Sequence, residues 1–289
     1  MCSPEIIARV RSEIQGKPRL TRRGAMKSAL AASAAVAISR PSSFASQASP
    51  EATPVTDIRA AIVDLTHYLE SSSPVWPGND PFMAEPVKTF EADGFYQQKV
   101  SFWEHTGTHV DAPIHFIEDG ITSDAIDIGD LFAALAVIDI SARAAEDPDT
   151  ALTVDDILAY EADYGEIPAG TLVAMNSGWS SKWGDSDAFV NLDSDGVQHY
   201  PGFHPDAAEF LVTERDIVGI AVDTLSQDPG NSTDFGTHIT ILGAGKYGIE
   251  GMNNLAAMDP AGGSVYVGAP KWAGSSGGPS RIIGFNRAR

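Results

Sequence analysis

Apolar and polar positions change over in short blocks along this chain, and the blocks after residue 58 predict more strands than helices. Arg59 to Thr66 (RAAIVDLT), Thr171 to Asn176 (TLVAMN), Ile217 to Val222 (IVGIAV), Val265 to Gly268 and Ile282 to Phe285 are brief apolar runs with β-branched residues, which read as strands. Phe95 to Trp103 (FYQQKVSFW) alternates well enough for another. Leu131 to Ile140 (LFAALAVIDI) is apolar throughout, as a strand buried on both faces must be. Two segments read as helices. Thr153 opens one, with Asp156 at the third helical position completing a capping pattern. His204-Pro205-Asp206 opens the other. Pro74 to Pro81 (PVWPGNDP) is a turn-rich loop. Strands outnumber helices without strict βαβ alternation or internal repeat, so the expected architecture is a single mixed α/β domain.

The block ahead of residue 58 is different in kind. Thr21-Arg22-Arg23-Gly24-Ala25-Met26-Lys27 precedes a weakly apolar stretch, Ser28 to Ile38 (SALAASAAVAI), and then the small residues around Ser42 to Ala48. A basic segment, a short apolar segment and a small-residue cleavage region in that order make an export signal. The paired arginines and Ala-rich core resemble the twin-arginine type. The alternative, an amphipathic first helix, lacks a polar face over 28–38. The chain thus divides into an export signal at 1–45, a polar linker at 46–57 and a folded domain at 58–289. The mature protein is expected to be periplasmic or extracellular.

Composition narrows the partners. With 289 residues, 43% of them hydrophobic, the chain can bury a sizeable core, which excludes a disordered or fibrous protein. Its one cysteine, Cys2, excludes an intrachain disulfide, a Cys-based zinc finger and an iron–sulfur cluster. No apolar run reaches the length of a membrane span. The net charge is -20, and eight of the 19 Lys and Arg fall in residues 1–45 with two of the 39 Asp and Glu. The body is therefore more acidic than the whole, which argues against nucleic acid or an anionic membrane surface as partner. Solubility or a salty exterior accounts for the surplus of acid.

Seven histidines are spread over the chain, and three of them lie within Glu104-His105-Thr106-Gly107-Thr108-His109-Val110-Asp111-Ala112-Pro113-Ile114-His115-Phe116. The steps from His105 to His109 to Asp111 are even, so on an extended chain all three side chains share a face. A helix would swing Asp111 away, and Gly107 and Pro113 also oppose one. Two imidazoles and a carboxylate suit zinc, manganese or ferrous iron, with positions left open as in catalytic sites. Downstream, His238 and Glu250 could complete a two-metal site with Asp111 or Glu250 bridging.

The run His-x-Gly-Thr-His-x-Asp-x-Pro-x-His-Phe at 105–116 resembles the signature of the cyclase family, which includes bacterial kynurenine formamidases and isatin hydrolases. Asp64-Leu65-Thr66-His67, Pro74-Val75-Trp76-Pro77-Gly78, Asp223-Thr224-Leu225-Ser226, Asn254-Leu255 and Gly268-Ala269-Pro270-Lys271 agree with it, so the resemblance spans about 60 to 285. It implies a swivelling β/β/α fold, a homodimer or homotetramer, and a metal-dependent hydrolase. It further implies His105, His109 and Asp111 as ligands of one metal, His238 as ligand of a second, and Asp111 and Glu250 as bridging carboxylates. His115 would be the catalytic histidine and Trp76 a wall of the substrate pocket. Asn176-Ser177-Gly178-Trp179 departs from an Arg-Thr-Gly-Trp pattern, and the lost cation puts an anionic group on the substrate in doubt.

Two other motifs lead elsewhere. Gly243-Ala244-Gly245-Lys246-Tyr247-Gly248 fits a dinucleotide fingerprint, but no long helix follows, so those glycines read as a turn between His238 and Glu250. Gly274-Ser275-Ser276-Gly277-Gly278 fits a nucleophile elbow, but no His follows it and Pro279 opposes the helix it requires. His67 reads equally as a support of the site or as a structural residue, while His199 and His204 read as loop residues of a polar insertion at 185–205. Trp179, Trp183 and Trp272 suit either a pocket wall or a core. The expected function is hydrolysis of an arylformamide or cyclic amide such as N-formylkynurenine or isatin by metal-activated water. The ion would be zinc (one or two), with manganese as alternative. A lactone hydrolase, or an exported metal- or ligand-binding protein without turnover, is the other reading of the same residues.

Overall fold

The computed structural model describes residues 61–287; the expected export signal, the linker and the domain start at Ile58 lie outside the described residues. In chain order the strands are β1 (Ile62–Asp64), β2 (Met83–Lys88), β3 (Gln97–Ser101), β4 (His109–Asp111), β5 (Phe132–Asp139), β6 (Ala151–Leu152), β7 (Thr171–Asn176), β8 (Gly202–Phe203), β9 (Gly219–Val222), β10 (Tyr247–Glu250), β11 (Gly263–Gly268), β12 (Gly277–Pro279) and β13 (Arg281–Phe285). The helices are α1 (Ser141–Glu146), α2 (Val154–Tyr164), α3 (Ser186–Val190), α4 (Pro205–Glu214) and α5 (Gly236–Gly243).

Nine strands form one sheet in the order β1-β13-β11-β5-β7-β9-β10-β4-β12. Its middle, β5 to β7 to β9 to β10, is parallel, and the strands on both flanks run antiparallel. Parallel neighbours require crossovers, which the intervening helices supply. Residues 132–250 therefore alternate strand and helix, while the chain as a whole does not, in keeping with the pattern. Helix α5 was not foreseen, because Ile239 to Leu242 is too short an apolar run to show a helical period.

The parallel strands are buried on both faces, which is why they read as continuous apolar runs. Ala136, Ile138, Val173, Met175, Ile220 and Val222 pack against Ile157, Leu211 and Ile241 of the helices. The alternate residues Leu135, Val137, Leu172, Ala174 and Ala221 face a second core with Leu65, Val110, Ile249, Val265 and Ile282. Helix α2 starts where the capping pattern placed it, with the Asp156 carboxylate accepting from the Thr153 amide at 2.8 Å. Strands β2 and β3 stand apart as a hairpin, exposed at nearly every position.

Candidate metal centre and aromatic pocket

Strand β4 lies between β10 and β12 and turns Val110 into the core, so His109 and Asp111 share the opposite face. Register does the rest: Glu250 pairs directly across from His109 at the end of β10. His105 reaches the same place by another route than the expected extended run. Gly107 takes a left-handed φ of 74°, and the chain bends there, so only His109 and Asp111 belong to a strand. His238 comes from the first turn of α5, and His115 from a 3-10 turn at Pro113–His115.

Three imidazoles surround two carboxylates, and each ring has its outer nitrogen engaged by the protein. The Ser276 hydroxyl donates to Glu104 Oε2 at 2.5 Å, and the Ser276 amide donates to the same oxygen at 3.1 Å. With its proton so placed, Ser276 Oγ accepts from His105 Nε2 at 2.9 Å, leaving His105 Nδ1 toward Asp111 Oδ1 at 2.6 Å. His109 Nδ1 donates to the Gly107 carbonyl at 2.8 Å. Its Nε2 is buried without a hydrogen-bond partner, 3.3 Å from Asp111 Oδ1 and 3.3 Å from Glu250 Oε2. His238 Nδ1 donates to Asp228 Oδ2 at 2.5 Å, and its Nε2 faces Glu250 Oε1 at 3.0 Å and Asp111 Oδ2 at 3.4 Å.

A bare imidazole nitrogen against a carboxylate oxygen is repulsive unless positive charge lies between them. Ligand bonds of ~2.0–2.1 Å in a tetrahedral site set neighbouring donor atoms roughly 3.3 Å apart, which is the spacing found around His109 and His238. The orphaned His109 Nε2 and the all-nitrogen and oxygen donor set therefore fit a divalent ion of the zinc or manganese kind. Titration follows the same logic. Burial works against charge on every group, yet Asp111 and Glu250 raise His109 to about 10, and Asp111, Asp228 and Glu250 raise His238. Burial likewise opposes ionisation of Asp111, but His105 and His109 hold it well below the usual carboxylate range. The centre draws positive charge.

His115 behaves otherwise. It stacks on His105 with ring centroids 3.7 Å apart, and burial lowers its pKa to about 4, so it is neutral at pH 7. Donor atoms of His105, Asp111 and His115 lie within 4.8 Å of one another, as do those of His109, Asp111 and Glu250.

These residues form one side of a cavity of about 350 Å³. Its other walls are aromatic: Trp76, Trp103, Phe116, Trp183, Phe189 and Phe235, and among the described residues no Lys or Arg lines it. Trp183 is held from behind by His67, whose ring stacks on it at 4.1 Å and 6°. Trp179 is core beneath that wall, and Trp272 packs outside the cavity near Phe102. Asn176, at the end of β7, donates to Asp139 at 2.7 Å and does not line the cavity. His199 pairs with Asp149 and Asp193, and His204 caps α4, both away from the centre.

Sequence reasoning missed Gln227, Asp228, Ser276 and Glu104. Asp228 is fully buried and fixes His238, yet in sequence it is one more polar residue in a loop after β9. Gly277 shows what the Gly-x-Ser-x-Gly run is for: a Cβ there would stand 2.1 Å from the Val110 carbonyl oxygen and 3.0 Å from the His105 ring. The run lets β12 pass close over β4, and Ser276 serves His105 rather than acting as a nucleophile at an elbow.

The Cyclase family model matches residues 63–229 of this chain. An isatin hydrolase of Roseibium aggregatum is 35% identical over 241 residues, covering 77% of this chain and 90% of that one. A kynurenine formamidase of Bacillus cereus is 27% identical, covering 67% and 81%. The solved structure of isatin hydrolase A from Labrenzia aggregata, bound to benzyl benzoate, superposes with a TM-score of 0.74 at 32% identity, covering 78% of this chain and 93% of that one. The mixed α/β domain is thus the swivelling β/β/α fold of those proteins, and the chain belongs to the cyclase family of hydrolases.

Proposed function

We propose that this protein is a metal-dependent amidohydrolase that cleaves an aromatic amide, either an arylformamide or a cyclic amide such as isatin. The observation that carries this is the turning of His105, His109 and His238, each with an outer nitrogen hydrogen-bonded to the protein, onto Asp111 and Glu250. His105, His109, Asp111 and Glu250 would hold the ion on one side of the carboxylate pair, and His238 is the donor on the other. Zinc is the first choice, with manganese the alternative for the same donors. Once bound, the ion supplies Lewis acidity toward a carbonyl oxygen and activation of water.

The chain's own residues do the rest. Neutral His115 accepts the proton from the attacking water and returns it to the amide nitrogen as the C–N bond breaks. Trp76, Phe116, Trp183 and Phe235 stack a flat ring and exclude bulk water. The absence of Lys and Arg from the lining among the described residues favours an uncharged ring system. The relatives' names, isatin hydrolase and kynurenine formamidase, support both substrate types. The test is hydrolysis of isatin and of N-formylkynurenine, before and after chelation. Turnover of at least one, lost on chelation and restored by metal, is expected; turnover of neither overturns the reading.

We further propose that the protein is an exported oligomer. The β2–β3 hairpin exposes Val87, Phe90, Tyr96 and Val100, and a hairpin of two strands is marginal by itself, so a second copy of this chain covers it. Light scattering should give a dimer or tetramer, and Phe90→Ser with Tyr96→Ser should shift it toward monomer. Residues 1–45 act as a twin-arginine export signal, which Arg22→Lys with Arg23→Lys should abolish in a fractionation assay.

A further inference from the structure

Gln227 is fully buried between the two carboxylates, and the reaction outlined above gives it no task. Its side-chain amide donates to Asp111 Oδ2 at 2.7 Å, and its backbone amide donates to Glu250 Oε1 at 3.0 Å. One residue thus supplies a donor to each carboxylate, on the oxygen turned away from His109, and leaves Asp111 Oδ1 and Glu250 Oε2 to face that ring. Its own carbonyl accepts from the Phe203 amide at 2.8 Å, so its backbone is held on the opposite side as well.

The orientation of the side chain is set by charge. Gln227 Oε1 has no hydrogen-bond partner, and turning the amide over would bring that oxygen onto the Asp111 carboxylate. A buried acceptor left unpaired is costly, so the arrangement persists because the charge-assisted donor to Asp111 outweighs it.

The chain also makes room for this amide. Gly248 stands opposite Asp111 in the β10–β4 pairing. A Cβ on Gly248 would lie 1.9 Å from Gln227 Nε2 and 2.3 Å from its Cδ, and its three nearest atoms all belong to Gln227. The backbone at Gly248 is not in the left-handed region, so the first obstacle to a side chain there is Gln227. The last glycine of the false dinucleotide fingerprint is a slot for an amide.

We propose that Gln227 is the positioning residue of the metal centre: it orients Asp111 and Glu250 toward the ion, and Gly248 is glycine so that it can. This rests on the metal-dependent reading above. Partners at this remove from an ion typically set its affinity by 10–100-fold. The experiment is Zn²⁺ competition against a chromogenic chelator, paired with the visible spectrum of the Co²⁺-loaded protein, on the full chain. Gln227→Met should weaken Zn²⁺ by ~10–100-fold and alter the Co²⁺ bands while thermal unfolding of the metal-free protein changes little. Gly248→Ala should reproduce the loss, and in a Gln227→Ala background it should add nothing, because the obstructing amide is gone. Wild-type affinity and spectrum in Gln227→Met would overturn the proposal. So would a Gly248→Ala penalty that survives in the Gln227→Ala background, which also decides the matter if Gln227→Met does not fold. A wild-type protein without Zn²⁺ affinity would instead sink the metal-dependent reading itself.

Discussion

Replacing His115 with alanine separates chemistry from metal binding. The ring stacks on His105 at 3.7 Å and lies within 4.8 Å of the Asp111 donor atoms, so geometry alone permits a ligand role as well as a proton-transfer role. A proton-accepting role requires it to be neutral. Burial lowers it to about 4, whereas the carboxylates lift His109 to about 10. His115 is thus neutral at working pH because of its surroundings. A positioned base of this kind contributes ~10²–10⁴ in rate, about 2.7–5.4 kcal/mol of barrier. His115→Ala should therefore lower kcat by that factor on isatin or N-formylkynurenine while elemental analysis shows unchanged metal. The pH profile adds a second reading. The base works only when neutral, so wild-type activity should hold as pH falls below 6.5 and drop as it passes about 4, and the variant should lose that limb. Loss of metal from the variant, or a kcat within threefold of wild type, would refute the assignment.

Other perturbations probe the supports. Ser276→Ala frees the His105 ring to turn, and Zn²⁺ affinity should fall about tenfold, with turnover retained at saturating metal and serine-reactive reagents without effect. His67→Phe keeps the stack on Trp183 but removes a half-buried imidazole whose pKa is lowered to about 4 by desolvation. The unfolded chain binds that proton from about pH 6.5 and the folded one only near 4, so the wild type loses stability across that window. The difference between urea midpoints at pH 7 and pH 4.5 should accordingly be smaller in His67→Phe; an unchanged difference would contradict the cause. Trp183→Ala opens the cavity wall and should raise KM for a ring-bearing substrate by more than it lowers kcat, together with a loss of ~3–5 kcal/mol of stability.

How much of this the chain announces depends on the range of the contacts involved. His109 and Asp111 were legible because a two-residue step on a strand is a local rule, and β4 obeys it. His105 converges on them as expected, but through the bend at Gly107, which no periodicity reports. The parallel strands were legible from their unbroken apolar runs, while α5 was not, because its first turn is devoted to His238 and its contacts with Asp228. Gln227 and Ser276 were hidden for another reason: each acts on residues more than a hundred positions away, Asp111 and His105 respectively. Locally, one follows a strand in a polar loop and the other sits in a run that mimics a nucleophile elbow. Glycines 248 and 277 carried the signal in disguise, since each marks a close approach of a chemically important side chain.

Elemental analysis of the purified protein after exhaustive dialysis tests the central claim most directly. The account predicts bound Zn or Mn at one or two equivalents per chain, removed by chelation and lost in the His109→Ala protein, because His109 Nε2 has no other partner. A folded protein with no bound metal, and none acquired on incubation with either ion, would contradict it.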